Sequence, residues 1–226
     1  MLEGFYSRRM MRMQTSVEPI VWLSLRVASA AVIVASLIGL PLGLWLGRLN
    51  FRGRRAVWAL VYTGMGFPPV VVGLVIYLLL SRTGPLGFLG WLYTPSAMIL
   101  AQVILDLPFI VGITMTAVAA IPNELHFQLR TLGASEWQAK WTLLRQARPG
   151  VILAIATAFG RSISEVGAVW MVGGNIQDHT RVLTTAIILE TGKGQFALAL
   201  MLGSILLAIA LIANVIILRF QGQPSP

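Results

Sequence analysis

Cysteine is absent from this chain, and histidine occurs twice in 226 residues. Without cysteine there is no disulfide framework and no thiolate metal site, and the redox compartment cannot be read from that residue. His126 and His179 fall in loops expected on opposite sides of a membrane, so they build neither a metal centre nor a serine–histidine dyad, and each reads as a solvated loop residue. Charge is also scarce, at 11% of residues against roughly 25% in ordinary soluble domains. The frames of phosphate and acyl chemistry are missing. Gly192-Lys193-Gly194 lacks the Gly-x4-Gly-Lys-Ser/Thr spacing whose amides cradle phosphates, and Ser162 and Ser164 stand in no Gly-x-Ser-x-Gly elbow. An intramembrane enzyme using Glu165 or Asp106 as acid or base would have neither nucleophile nor histidine partner.

What is present is apolar length. Hydrophobic residues make up 57% of the chain, and a hydrocarbon core of ~30 Å at ~1.5 Å per residue demands about 20 of them per helical span. Five stretches qualify: 20–47, 56–80, 96–121, 151–172 and 196–218, the second and fifth without any charge. The expected fold class is an all-α integral membrane protein of about five transmembrane helices, read as one domain between an N-terminal tail, 1–19, and a C-terminal tail, 219–226. The first apolar run is too long for a signal peptide and is expected to stay in the mature protein. No repeat of 20 to 50 residues is visible. The formal charge of +9 would point to nucleic acid in a soluble chain, but here the basic residues sit beside spans as topogenic charge.

Those charges give an orientation. Arg48, Arg52, Arg54 and Arg55 lie between the first two spans, and Arg130, Lys140, Arg145 and Arg148 between the third and fourth. The other loops hold Arg82, and then Arg181 and Lys193. The positive-inside rule makes both basic loops cytoplasmic and segment 173–195 external. Five spans then put the N-terminus outside, against the pull of Arg8, Arg9 and Arg12, unless residues 1–19 form an interfacial helix.

Four charges fall within the spans: Arg26, Asp106, Arg161 and Glu165. Charge at membrane depth costs at least ~2.5–3.5 kcal/mol on insertion scales, so each should face protein or water. Arg161 and Glu165, four apart, either pair as an internal salt bridge or line a pathway for an anion together with Thr157. Asp106 precedes Leu107-Pro108 and can accept from a freed amide, while Arg26 can snorkel outward. Gly39-Leu-Pro-Leu-Gly43 and Gly66-Phe-Pro-Pro-Val-Val-Val-Gly73 put glycine and proline in mid-span, which reads as a kink with close helix packing, as a hinge or pore-lining break, or as both.

Between the third and fourth spans, residues 121–150 are too polar to cross and too patterned to be a linker. One short helix runs from Glu124 to Thr131 and closes on Gly133 in the left-handed conformation; a second opens at Ser135 with Gln138 three positions later, a capping box. Trp137, Trp141 and Leu144 recur on one face of the second helix, away from Glu136, Lys140 and Arg145. Such a helix either docks into a groove of a partner or lies in the headgroup region.

With that insert at 122–150, the order of spans resembles the permease subunit of bacterial ATP-binding-cassette importers, whose cytoplasmic loop carries Glu-Ala-Ala-x3-Gly-x9-Ile-x-Leu-Pro. Counting from Gly133, this chain has Phe127-Gln128-Leu129 for Glu-Ala-Ala and Leu143-Leu144-Arg145-Gln146 for Ile-x-Leu-Pro, keeping the glycine and the first aliphatic position. Arg130-Thr-Leu-Gly-Ala-Ser-Glu-Trp and Pro68-Pro-Val-Val-Val-Gly73 carry the likeness further. Glu165-Val-Gly-Ala-Val-Trp-Met-Val-Gly-Gly-Asn-Ile176 and Thr180-Arg-Val-Leu-Thr-Thr-Ala-Ile187 are similar to oxyanion permeases of the molybdate, tungstate and sulfate group, and Thr184 to Gly194 looks most like the tungstate branch.

The resemblance covers nearly the whole chain. It implies a MetI-like fold, a multi-pass place in the bacterial cytoplasmic membrane, and a homodimer served by two ATPase subunits and a periplasmic or extracellular oxyanion-binding protein. The chain itself is then a transport subunit without cofactor, covalent chemistry or nucleic-acid partner, and ATP with magnesium belongs to the ATPase. Gly133, Ala134, Ser135, Trp137, Lys140, Trp141 and Leu144 are the implied coupling residues, and Arg161, Glu165 and Thr157 the candidate pathway. Tungstate is the expected cargo, with molybdate or sulfate as alternatives.

Overall fold

The computed structural model describes residues 2–48 and 52–219 and is helical, with no strand among the described residues. Ten α-helices follow one another: α1 Leu2–Arg48, α2 Arg54–Met65, α3 Pro69–Leu80, α4 Pro95–Ala119, α5 Asn123–Thr131, α6 Glu136–Gln146, α7 Arg148–Ser164, α8 Gly167–Gly173, α9 Leu183–Gly192 and α10 Phe196–Arg219. Among the described residues three stretches are long and apolar enough to cross a membrane, Val17–Arg48, Pro95–Ala119 and Phe196–Ile217. Two more arise if α2 with α3, and α7 with α8, each count as one sharply bent span, which brings the number to the five expected. Helix α1 runs unbroken from Leu2, and its membrane-length stretch begins at Val17. Segment 173–195, expected as an external connection, contains α9, whose Leu183, Thr184, Thr185 and Ala186 are buried.

The chain forms two compact units. One contains residues up to Ala31, Pro68–Gln102 and Ser162–Ala210; the other contains Val32–Phe67, Val103–Arg161 and the chain from Leu211 onward. Both basic loops fall in the second unit, while Arg82, Arg181 and Lys193 fall in the first.

In the first unit α3 packs against α8 through small residues. A Cβ on Gly73 would stand 2.7 Å from the Ala168 Cα, and one on Gly167 would stand 2.6 Å from Val70 Cγ2. Without bulk at these positions the two helices close to backbone contact, which supplies dispersion where burial against lipid offers little. Leu183, Ala186 and Leu202 form a second centre, covered by Val17, Ile20 and Val21 of α1. Ser24 ties it down: its hydroxyl accepts the Leu183 N–H at 2.8 Å, one of the orphan donors at the start of α9, and donates to the Ile20 carbonyl at 2.7 Å.

In the second unit Gly39, Gly43 and Gly47 form a stripe along one face of α1 that lies against α4. A Cβ on Gly43 would meet Thr114 Cβ at 2.7 Å and the Val111 carbonyl at 2.8 Å; one on Gly47 would meet the Met115 carbonyl at 2.8 Å. Gly39-Leu-Pro-Leu-Gly43 packs closely on α4, and α1 continues through Pro41. The interruption comes instead at Gly66–Pro68, where α2 ends and α3 begins. Proline cannot donate to a helical ladder, and Phe67 N–H turns back to the Gly64 carbonyl at 3.3 Å. Helix α4 passes through Pro108 without stopping, with Gly64 packed on that ring.

Candidate functional site

The hairpin of α5 and α6 is held by backbone chemistry at every joint. Helix α5 ends in a complete Schellman motif: Ala134 N–H donates to the Leu129 carbonyl and Gly133 N–H to the Arg130 carbonyl, both at 3.0 Å. Gly133 has φ +84°, which an L side chain tolerates poorly. Arg130 Nη1 reaches across to the Ala134 carbonyl at 2.8 Å and braces the link. Ser135 and Gln138 then form the reciprocal capping box, Ser135 N–H to Gln138 Oε1 at 2.8 Å and Gln138 N–H to Ser135 Oγ at 3.2 Å. A cap of this kind is worth ~1 kcal/mol, enough to fix the start of a short helix.

Helix α6 is asymmetric. Ala139 is buried, whereas Trp137 and Trp141, one turn apart, are 74% and 59% exposed. The side chains of Lys140 and Leu144 lie outside the described residues, as does that of His126. Of the residues expected to couple, Gly133, Ala134 and Ser135 shape the joint, and Trp137 and Trp141 form the outward face of α6. Ala139, which seats the helix, was missed in the sequence; a small apolar residue between two tryptophans was the available signal.

Thr157 and Arg161 are half-buried on α7, and the Arg161 guanidinium lies over the Phe109 ring, 5.0 Å from its centroid, a cation–π contact. Helix α7 ends at Ser164, so Arg161 and Glu165 are not successive turns of one helix as the spacing implied. Glu165 is buried and caps the next element: Oε1 accepts the Ala168 N–H at 3.1 Å, close to the start of α8, and its main-chain carbonyl accepts the Thr184 hydroxyl at 2.9 Å. A carboxylate there meets the positive end of the helix dipole. At the same break the Ser162 carbonyl accepts both Glu165 N–H at 3.2 Å and the buried Gln102 Nε2 at 2.9 Å. Backbone groups freed inside a membrane are viable only when protein groups answer them, and here they do.

After α8 the Gly-Gly-Asn-Ile segment turns through two left-handed residues, Gly174 at φ +72° and Asn175 at φ +51°. The buried Thr180 hydroxyl donates to the Gly173 carbonyl and accepts the Ile176 N–H at 3.0 Å. Arg181 Nε reaches Asn175 Oδ1 at 3.3 Å. The two sequence segments singled out together, around Asn175 and Arg181, therefore form one knot. No group of three or more His, Cys, Asp or Glu side chains suited to a metal exists among the described residues.

Residues 39–222 match the family described as the binding-protein-dependent transport system inner membrane component. A probable anion ABC transporter permease protein of Haloferax volcanii is 44% identical over 206 residues, 89% of either chain. The tungstate uptake system permease protein TupB of Peptoclostridium acidaminophilum is 40% identical over 225 residues, 98% of either chain. A chain of the inward-facing MetNI methionine ABC transporter superposes with a TM-score of 0.73 at 22% identity, covering 94% of this chain and 99% of that one, which shows a shared fold. With the family match spanning most of the sequence and relatives well above 30% identity along nearly all of it, this chain belongs to the inner membrane components of binding-protein-dependent transport systems.

Proposed function

We propose that this chain is the permease subunit of an ATP-driven tungstate importer in a bacterial cytoplasmic membrane, working as a homodimer. The carrying observation is its 40% identity, across 98% of both chains, to a permease named for tungstate uptake. The α5–α6 hairpin suits the coupling role. Its joint is rigid, so displacement of α6 by an ATPase passes to α7 rather than being absorbed in a flexible link. Trp137 and Trp141 are the surface that an ATPase groove takes up, and ATP and magnesium reside in that partner.

The breaks at Gly66–Pro68 and Ser164–Val166 are where the spans hinge. Arg161 supplies positive potential to the path of a divalent oxyanion delivered by an external binding protein. Co-reconstitution in liposomes with a partner ATPase and a binding protein, followed by elemental analysis of the lumen, tests this. ATP-dependent tungstate accumulation is expected. Uptake of molybdate or sulfate in preference to tungstate overturns the cargo, and uptake without ATP overturns the class.

A further inference from the structure

Arg26 has no explanation in the transport reading. The stretch 27–47 that follows it on α1 is uncharged and, at ~1.5 Å per residue, is roughly 30 Å long, the thickness of a hydrocarbon core. Arg26 and Arg48 therefore bracket the core at its two faces. Arg48 belongs to the basic cytoplasmic side. Arg26 belongs to the other, where charge bias disfavours a cation, and it makes no hydrogen bond or ion pair among the described residues.

Beside it opens a cavity of about 420 Å³, lined by Trp22, Arg26, Pro95, Asp178, His179 and Arg181. Trp22 stands one turn before Arg26 and is 69% exposed, an indole at the depth where interfacial tryptophans gather. Arg181 is held from behind by Asn175, through Nε at 3.3 Å and Nη2 at 3.5 Å, so its guanidinium is oriented in advance. Asp178, the one acidic residue in the lining, forms no ion pair among the described residues. Two guanidiniums against one carboxylate leave the cavity cationic. Guanidinium forks match phosphate oxygens in pairs, and the level of Arg26 at the edge of the core is the level of lipid phosphates. An acidic protein surface would have to descend to the acyl boundary to reach it.

We propose that this cavity binds the phosphodiester of an anionic phospholipid, gripped by Arg26 and Arg181, with Trp22 beside the glycerol. The proposal does not depend on the cargo. Native mass spectrometry of the full chain, titrated with phosphatidylglycerol or phosphatidylcholine of the same acyl composition, tests it, with melting temperatures taken in parallel. The wild type should retain phosphatidylglycerol preferentially, and Arg26→Gln/Arg181→Gln should weaken it at least about tenfold, the worth of a single charge-assisted hydrogen bond, and lose the preference. Arg82→Gln should change nothing.

Asp178→Asn should tighten phosphatidylglycerol binding. That position is exposed at φ +59°, a conformation asparagine accepts, so this variant decides the matter if the double variant does not fold. Unchanged lipid preference in the double variant, or unchanged affinity in Asp178→Asn, overturns the proposal. Displacement of the lipid by millimolar phosphate or tungstate would make this a free-anion site and overturn it as well. So would loss of binding-protein capture in the double variant with lipid binding intact, which would mark a protein-docking surface.

Discussion

Replacing Trp137 and Trp141 by alanine should uncouple the permease from its ATPase while leaving the permease itself intact. At 74% and 59% exposure, and with a tryptophan burying about 150–250 Å² when covered, the pair still has roughly 270 Å² to lose to a partner. At ~25 cal/mol per Å² that area corresponds to at most ~7 kcal/mol. Association costs consume much of it, and aromatic anchors at interfaces typically contribute ~2–4 kcal/mol each on truncation. Each single substitution should therefore weaken ATPase binding by about 30-fold or more, and the double variant should fail to co-purify. Because the side chains are exposed in the free permease, melting should shift by no more than ~0.5 kcal/mol equivalent. Binding is read by titrating detergent-solubilised permease with labelled ATPase. An affinity within threefold of wild type would refute the docking assignment, and weaker liposome partitioning with unchanged ATPase affinity would place the tryptophans in the headgroup region instead.

Three further outcomes are expected. Gly43→Leu should abolish folded protein, since even a Cβ there stands 2.7 Å from Thr114 and 2.8 Å from the Val111 carbonyl; wild-type yield on size-exclusion chromatography would contradict the α1–α4 contact. Glu165→Ala should lower stability by ~1–3 kcal/mol by leaving the Ala168 N–H without its acceptor, whereas Glu165→Gln, which keeps an oxygen, should recover most of it in a thermal melt; equal loss in both would point to charge rather than capping. Single cysteines at Arg52 and Gln177, both exposed in a chain that has none, should label from opposite faces of sealed vesicles, and labelling of both by one impermeant reagent would reverse the orientation.

The parts of the structure that were legible are those set by local chemistry. Ser135, Gln138 and Gly133 announce their caps because capping depends on residues three or four apart. The five apolar stretches are visible because bilayer thickness fixes their length. What was not legible depends on tertiary partners. Gly39 and Gly43 around Pro41 looked as breakable as Gly66–Pro68, yet α1 continues through Pro41 with that glycine stripe set against α4. Counting from Arg161 to Glu165 assumed one continuous helix, but α7 stops at Ser164, and the Ser162 carbonyl at that break is taken in part by Gln102, sixty residues earlier. Arg26 read as a snorkelling charge, His179 as a solvated loop residue and Arg181 as a loop charge, since nothing in their spacing tells that one cavity gathers them.

Two irregular places in the first unit are completed by side chains made earlier on the ribosome. Gln102 of α4 answers the Ser162 carbonyl, and Ser24 of α1 answers the first amide of α9. A broken helix emerging alone into lipid would leave those groups bare, at several kcal/mol each. Synthesis from the N-terminus means that each receptor is already in the bilayer when the segment that needs it arrives. Supplying 95–119 from a separate, later transcript should accordingly delay the protease-resistant form of the remainder. For this chain the direction of translation doubles as the order of assembly.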